Sequence, residues 1–213
     1  MAFKLSSADY VKYLEEFYEF LQGKREYVTE LDSATGDGDH WLNMNTGFGE
    51  LVKNADQIRE MNIQDAFKRI SMILMSKIGG SSGVLYGGAY MAASRTLEGV
   101  EHIGREELYN ILSAMLEDIM KRGKTEVGSK TMVDALAPAV EEYKAQMDKE
   151  ADDKELLEAV AQAAKEGAEA TRDMEAIRGR ASYQANKGVG HLDPGAVTMA
   201  YQIEILCNHI LQL

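Results

Sequence analysis

Residues 6–21 of the chain read Ser-Ser-Ala-Asp-Tyr-Val-Lys-Tyr-Leu-Glu-Glu-Phe-Tyr-Glu-Phe-Leu, and this stretch sets the pattern for the rest of the sequence. That pattern places one apolar stripe on an amphipathic α-helix. Ser6 or Ser7 is a good N-terminal cap, and Gly23 follows the last apolar residue. The stretch therefore predicts a helix from Ser6 or Ser7 to about residue 21. The stripe consists of large apolar side chains three and four positions apart: Tyr10, Tyr13, Leu14, Phe17 and Leu21.

The same helical spacing recurs along almost the whole chain. Only two prolines occur, and the periodic segments hold few β-branched runs, so an all-α protein is favoured. The connections are short, which is typical of antiparallel neighbours in a bundle or helical barrel. At this length we expect a single domain spanning residues 1–213. Besides the first, helices are predicted at about residues 24–31, 40–53, 63–77, 105–121, 131–147 and 155–176, one after residue 83, and one from residue 194 onward.

Composition excludes several classes of protein. The formal net charge of −12 would repel nucleic acid and anionic membranes, so neither is expected as a partner. The single cysteine, Cys207, excludes an intramolecular disulfide framework and fits a reducing compartment. The N-terminus lacks the apolar core of a signal peptide, and no apolar run is long enough to cross a bilayer. We therefore expect a cytoplasmic protein.

An acidic loop follows the second predicted helix. Residues 32–43 read Asp-Ser-Ala-Thr-Gly-Asp-Gly-Asp-His-Trp-Leu-Asn. In extended backbone Asp37 and Asp39 would point the same way, and Asp32 could reach them from the end of the preceding helix. Three carboxylates in a small volume repel unless a cation neutralises them, and such oxygen ligands suit Mg²⁺. Taken alone, the stretch is equally compatible with an acidic, glycine-rich surface turn.

Two further glycine-rich loops have an ordinary and a functional interpretation. The loop at residues 79–83, Gly-Gly-Ser-Ser-Gly, is a capped turn or an anion site at a helix N-terminus. The stretch from Arg122 to Asp134 resembles part of a P-loop but lacks its spacing and preceding strand, so a Walker motif is rejected. Gly123 would still let a base or ribose pack on the backbone, and Met132 would line an adenine pocket or simply the core.

The last loop precedes the final helix. Asp193 and Pro194 fit an N-terminal cap and a first helical residue without any ligand. Arg180 is placed to pair with phosphate oxygens. Among the four histidines, His40 lies beside the carboxylates in sequence and is the best candidate for a phosphate donor.

Taken together, four ordered motifs resemble the nucleotide-binding domain of dihydroxyacetone kinases. The resemblance covers nearly the whole chain and includes the family's stand-alone form, the ADP-binding L subunit of the bacterial phosphotransferase-dependent enzyme. It implies a barrel of eight antiparallel amphipathic helices with the nucleotide held by loops at one end. The motifs are Asp32…Gly36-Asp-Gly-Asp-His40, Gly79-Gly-Ser-Ser-Gly83, Lys130-Thr-Met-Val-Asp-Ala-Leu136 and Gly179-Arg-Ala-Ser-Tyr183…Gly190-His-Leu-Asp-Pro-Gly-Ala196.

The resemblance also implies site residues. The metal-binding aspartates of the family match Asp32, Asp37 and Asp39, which would hold two Mg²⁺ ions. No catalytic side chain is implied, because the bound Mg-nucleotide carries the phosphoryl group. The nucleotide contacts of the family match His40, Trp41, Leu42, Asn43, Ser81, Ser82, Gly123, Met132, Arg180, Asp193, Pro194 and Gly195.

The activity implied is that of a phosphotransferase working within a multi-subunit complex. A phosphoryl-donor M subunit would convert bound ADP to ATP, and the γ-phosphate would pass to dihydroxyacetone held by a K subunit. A homodimer is left open. Departures from the family pattern, including Trp41 for glycine and Ser129 for aspartate, leave two alternatives. These are a subunit that phosphorylates another small ketose such as erythrulose, and an ADP-bound regulatory interaction module.

Overall fold

A computed structural model describes residues 3–213, and over that range the chain is all-α. The only extended pairing among the described residues is an isolated antiparallel bridge between Leu5 and Ile103. No described helix is long and apolar enough to span a membrane. Two 3₁₀ turns lie at Thr171–Asp173 and Arg180–Tyr183. The α-helices are α1 (Ser7–Gln22), α2 (Arg25–Thr35), α3 (His40–Lys53), α4 (Ala55–Arg59), α5 (Ile63–Lys77), α6 (Gly80–Thr96), α7 (Arg105–Gly123), α8 (Val133–Asp148), α9 (Asp153–Ala170) and α10 (Pro194–Ile210).

The helices differ from the sequence prediction at several points, among them the start of α6, which lies at Gly80 inside the predicted glycine-rich loop. Helix α2 runs four residues further than predicted, to Thr35, so that Asp32 lies within the helix and not after it. The polar segment before α5 contains the short helix α4, whose buried Ala55 and Ile58 were hidden among charged neighbours. Helix α9 stops at Ala170, where the chain tightens into a 3₁₀ turn and does not continue to residue 176.

Contacts between residues divide the chain into two compact units. The first comprises residues 3–23 and 43–122. In this unit α5 and α6 pack closely. Ser71 Oγ of α5 donates a 2.6 Å hydrogen bond to the carbonyl of Gly87 in α6. A Cβ atom on Gly87 would lie 2.6 Å from Met75 Cβ, so a larger residue would force the two helices apart. The small residues of α6 therefore serve helix packing.

The second unit comprises residues 24–42 and 123–213. It contains α2, the first turn of α3, and the helices α8, α9 and α10. Helices α8 and α9 cross at Gly167, where a Cβ atom would collide with the carbonyl oxygen of Asp134. The all-α prediction is confirmed, whereas the barrel of eight helices and the single domain over residues 1–213 stay predictions.

Candidate functional site

The three acidic side chains of the loop between α2 and α3 converge. One carboxylate oxygen from each of Asp32, Asp37 and Asp39 lies within 4.8 Å of the others. Asp32 is buried, whereas Asp37 and Asp39 are exposed. Three carboxylates, two of them exposed and one buried, fit Mg²⁺. This ion prefers a few carboxylate ligands and completes its coordination shell with water and phosphate. The structure thus brings together the three residues that the sequence grouped.

The route by which they converge differs from the prediction. Gly38 has φ = +77°, so the segment from Asp37 to Asp39 is not extended, and the alternation expected of a strand does not apply. A Cβ atom on Gly38 would lie 2.6 Å from Ser33 Oγ, and one on Gly36 would collide with Asp32 Oδ1. Glycine at both positions therefore lets the loop fold back over the end of α2. Gly38 takes a left-handed conformation that other residues rarely adopt, and Gly36, with φ = −143°, leaves room for the Asp32 carboxylate.

Asp32 also fixes the start of α3. Its Oδ2 accepts a 2.9 Å hydrogen bond from the backbone N–H of His40, the first residue of that helix. This bond satisfies an amide that has no partner within the helix. It also holds the Asp32 carboxylate in a single orientation toward Asp37 and Asp39, which reduces the reorganisation needed to bind a cation.

The ring of His40 links α3 to α10 within the second unit. Its Nε2 lies 2.9 Å from Thr198 Oγ1, and the Thr198 hydroxyl itself donates to the carbonyl of Pro194 at 3.0 Å. With the hydroxyl hydrogen directed to that carbonyl, the tautomer protonated at Nε2 would donate to Thr198 Oγ1. Burial lowers the pKa of His40, although Asp32 and Asp39 oppose that shift. A neutral ring with Nε2–H already bonded has only a lone pair at Nδ1. In that tautomer the ring offers no donor to a phosphate, and the backbone N–H of His40 is bonded to Asp32, so the phosphate contact of His40 stays a prediction.

Arg180 reaches the acidic trio from the loop before α10. Its guanidinium lies 2.6 Å from Asp37 Oδ2. The same loop is tied to the end of α2 by Gln184, whose side-chain amide donates a 3.0 Å hydrogen bond to the carbonyl of Ala34. The sequence predicted Arg180 as a phosphate ligand and did not predict its pairing with a metal-binding candidate.

Asp193 caps α10, as the sequence predicted. Its Oδ2 accepts a 2.7 Å hydrogen bond from the N–H of Ala196, and its own N–H donates to Thr171 Oγ1 at 3.0 Å. Burial raises the pKa of Asp193 to about 7, opposed by the Ala196 hydrogen bond and the charge of Lys130.

Met132 and Gly195, two of the predicted nucleoside contacts, are adjacent in the second unit. A Cβ atom on Gly195 would lie 3.8 Å from the backbone nitrogen of Met132. Met132 is buried, and Gly195 follows Pro194, the first residue of α10. Gly123, a further predicted contact, is the last residue of α7.

Two buried charged residues near this point were not identified from the sequence. Asp134 Oδ2 accepts a 2.7 Å hydrogen bond from the N–H of Thr131, and its other oxygen accepts one from Gly128. Lys130 lies in the sequence between Gly128 and Thr131, the two donors to Asp134, and is 2% exposed. The segment that carries Lys130 follows helix α7 and precedes helix α8, so it has no preceding strand of the kind that a Walker motif requires. The hydroxyl oxygen of Ser129 accepts a 3.0 Å hydrogen bond from the N–H of Glu126, three residues earlier, and so closes the turn before Lys130. An aspartate carboxylate, which the family pattern has at this position, accepts hydrogen bonds in the same way.

In the first unit, Asn43 lies against the start of α6. A Cβ atom on Gly79 would lie 2.5 Å from Asn43 Oδ1. Ser81 and Ser82 belong to the first turn of α6 and not to a loop, and Ser81 is exposed. Exposed hydroxyls and amides at a helix N-terminus favour an anion, so the predicted phosphate contact of these residues is chemically reasonable.

Trp41 and Leu42 occupy different environments in the first turn of α3. Trp41 is 8% exposed, and the guanidinium of Arg25 lies 5.0 Å from the centre of its ring. Leu42 is 57% exposed. Trp41 is therefore packed as a core residue beneath a cation, whereas Leu42 faces solvent.

Comparisons with known proteins agree with these motifs. The sequence model of the DAK2 domain matches residues 34–208. The chain is 38% identical over 200 residues to the ADP-binding subunit DhaL of the PTS-dependent dihydroxyacetone kinase of Lactococcus lactis, an alignment that covers 92% of this chain and 94% of that subunit. It is 34% identical over 202 residues to the ADP-binding subunit DhaL of the PEP-dependent enzyme of Escherichia coli, covering 95% and 96% of the two chains.

A solved structure gives the same result. The dihydroxyacetone kinase of C. freundii in complex with AMP-PNP and Mg²⁺ matches 93% of this chain and 33% of its own length, with a TM-score of 0.71 and 27% identity. The family resemblance drawn from the loops is thereby confirmed, and the chain belongs to the DAK2 domain family.

Proposed function

We propose that this chain is the nucleotide-holding subunit of a phosphotransferase-dependent dihydroxyacetone kinase. Bound ADP would accept a phosphoryl group from an M-type donor subunit, and the resulting ATP would pass it to dihydroxyacetone on a K-type subunit. No side chain of this chain needs to attack the phosphorus, because phosphoryl transfer depends mainly on positioning and charge neutralisation. A cytoplasmic location is part of the proposal, since both partner subunits would have to reach the same site.

The convergence of Asp32, Asp37 and Asp39 carries this proposal. Their oxygens lie within 4.8 Å of one another, and glycines at positions 36 and 38 are required for that geometry. A structural turn would not need three carboxylates at that separation, because their mutual repulsion opposes folding. A site that binds divalent cations does need them.

Each residue then has a defined task. The three aspartates would hold Mg²⁺, two ions in our proposal, and bound Mg²⁺ would neutralise charge on the phosphates. Arg180 would turn from Asp37 to the phosphate oxygens, for which its planar fork is suited. The segments around Met132 and around residues 193–195 would hold the nucleoside. By resemblance, residues 40–43, Ser81 and Ser82 would contact phosphates, and Gly123 the nucleoside.

The choice of dihydroxyacetone over other ketoses is supported by how much of each relative's length aligns with this chain. The DhaL subunits of Lactococcus lactis and Escherichia coli align over at least 92% of this chain and 94% of their own length. The L-erythrulose 1-kinase of Mycolicibacterium smegmatis is 29% identical, and the alignment covers 35% of that enzyme. A purely regulatory module is disfavoured because it would not need an intact trio of carboxylates.

Mass spectrometry and calorimetry test the proposal directly. The purified protein should bind Mg-ADP, and Asp37→Asn should abolish that affinity, because it removes one charge from the trio while leaving the side-chain shape. The matched control is Asp56→Asn, an exposed aspartate of α4, whose change should leave binding intact. Wild-type protein without affinity for Mg-ADP, or Asp37→Asn protein with unchanged affinity, would remove the proposal.

A further inference from the structure

Lys130 is a buried cation that the proposed function does not use. It is 2% exposed and lies just before α8 with φ = +59°, in the left-handed region. Its ammonium donates hydrogen bonds to two backbone carbonyls, those of Thr171 and His191. Loss of hydration lowers the pKa of Lys130, and the carboxylates of Asp193 and Asp134 oppose that shift. Burying an ammonium is unfavourable compared with an apolar side chain of the same size, so its position calls for a reason.

The two carbonyls lie in segments that border the predicted nucleoside contacts. Thr171 follows the end of α9, and its hydroxyl also accepts the N–H of Asp193 at 3.0 Å. His191 precedes Asp193 by two residues, and Met132 follows Lys130 by two. Gly195 lies against Met132, so the start of α10 and the segment before α8 are neighbours. The ammonium of Lys130 links these two segments through its hydrogen bond to His191.

The stem of Lys130 supports a third segment. A Cβ atom on Gly188 would lie 3.0 Å from Lys130 Cε and 3.2 Å from Ala181 Cβ, and Gly188 has φ = +75°. This glycine belongs to the loop that carries Arg180. The lysine thus contacts the segment before α10 through its ammonium and the loop that carries Arg180 through its stem, and it lies two residues before Met132 in its own segment.

We propose that Lys130 is a positioning residue for the nucleoside end of the nucleotide site, an inference that rests on the proposed function. Its ammonium holds the segment before α10 at a fixed distance from the start of α8, so that Met132 and Gly195 stay adjacent in the surface that would face the base. It does not bind phosphate, because its hydrogen bonds are directed to Thr171 and His191 and the side chain is closed to solvent. An apolar residue would fill the same volume without linking the two segments.

Replacing Lys130 by methionine separates this role from general stabilisation. Lys130→Met keeps the stem and removes the ammonium, and Lys187→Met, an exposed lysine paired with Glu175, is the matched control. ADP and magnesium pyrophosphate are titrated into each protein by calorimetry. We expect the dissociation constant of ADP to rise about tenfold, as loss of hydrogen bonds to a charged group implies, and that of pyrophosphate to change less than about twofold. The control should match the wild type for both ligands.

Two results would overturn the inference. One is unchanged ADP affinity in a folded Lys130→Met protein, and the other is an equal loss for ADP and pyrophosphate, which would mean a general effect on the fold. If circular dichroism shows that Lys130→Met does not fold, Gly188→Ala replaces it, because its methyl group presses on the lysine stem without removing the charge. For Gly188→Ala, too, unchanged ADP affinity or an equal loss of affinity for ADP and pyrophosphate would overturn the inference. Wild-type protein that binds no ADP would instead refute the proposed function, and the inference with it.

Discussion

The guanidinium of Arg180 lies 2.6 Å from the carboxylate of Asp37, so a cation from the protein itself occupies the edge of the acidic trio. Both partners are largely accessible, with side-chain exposures of 67% and 39%. An accessible ion pair of this kind contributes little net free energy and can be exchanged for another partner. Arg180 therefore relieves the repulsion among the aspartates and competes with a divalent cation for Asp37.

The first prediction concerns this competition. Arg180→Gln should raise the affinity of the nucleotide-free protein for Mn²⁺ by about two- to fivefold, because an exposed ion pair contributes up to about 1 kcal/mol. The same change should weaken ADP binding, since a phosphate partner is lost. Electron paramagnetic resonance of free Mn²⁺ measures the first effect and calorimetry the second.

Arg178→Gln is the control for Arg180→Gln. Arg178 lies two residues earlier, and its Nε donates a 3.3 Å hydrogen bond to the carbonyl of Lys124. Its substitution should leave the affinities for Mn²⁺ and ADP unchanged. A lower Mn²⁺ affinity in Arg180→Gln would show that Arg180 supports the cation site and does not compete with it.

The second prediction concerns the glycine between Asp37 and Asp39. Gly38→Ala should weaken both Mn²⁺ and Mg-ADP binding, because the methyl group would lie 2.6 Å from Ser33 Oγ and push the two flanking carboxylates apart. The left-handed conformation adds a loss of stability of about 1–2 kcal/mol. Calorimetric titration and urea unfolding measure the two effects separately.

Gly99→Ala is an unusually close match for Gly38→Ala. Gly99 has φ = +75°, nearly the same as the +77° of Gly38, but a Cβ atom there would meet no atom within 4 Å. We expect the same loss of stability with no change in ligand affinity. Equal affinities in the two variants would mean that the position of the carboxylates does not depend on Gly38.

The sequence predicted the helices well where their apolar stripe is long and bounded by capping residues, as in α1 and α10. Ser6, one of the two serines predicted as the cap of α1, and Asp193, predicted as the cap of α10, accept hydrogen bonds from the backbone of the following turn. The sequence did not predict α4, because a helix of five residues is too short to show a helical period of apolar residues. Local signals of capping and periodicity thus determine which elements form.

The candidate site was predictable in composition but not in geometry. Asp32, Asp37 and Asp39 are grouped in the sequence, yet the left-handed Gly38 that brings them together differs from the extended backbone that was assumed. Lys130 and Thr198 act through partners that lie 41 and 158 residues away, respectively, and no local pattern indicates such pairs. Contacts of this kind depend on packing among α3, α8, α9 and α10.

The last prediction concerns pH and Asp193. Burial raises its pKa from 3.8 to about 7 in the folded protein, so the folded state holds this proton more tightly than the unfolded chain. Its contribution to stability is therefore complete below about pH 4 and is lost progressively as the pH rises to about 7. Asp193→Asn keeps an oxygen that can cap Ala196 but cannot ionise. The free energy of unfolding of the wild type, minus that of Asp193→Asn, should fall by about 2–4 kcal/mol over this window.

Urea unfolding at a series of pH values, without nucleotide or Mg²⁺, measures that difference. His40 acts in the opposite direction, because its lowered pKa makes the folded state lose stability as the pH falls below the usual histidine range. His40 is present in both proteins, so its effect cancels in the difference. A difference that stays constant from pH 4 to pH 8 would mean that the ammonium of Lys130 keeps Asp193 ionised throughout. The buried pair would then be a true ion pair, and the cap of α10 would carry a full negative charge.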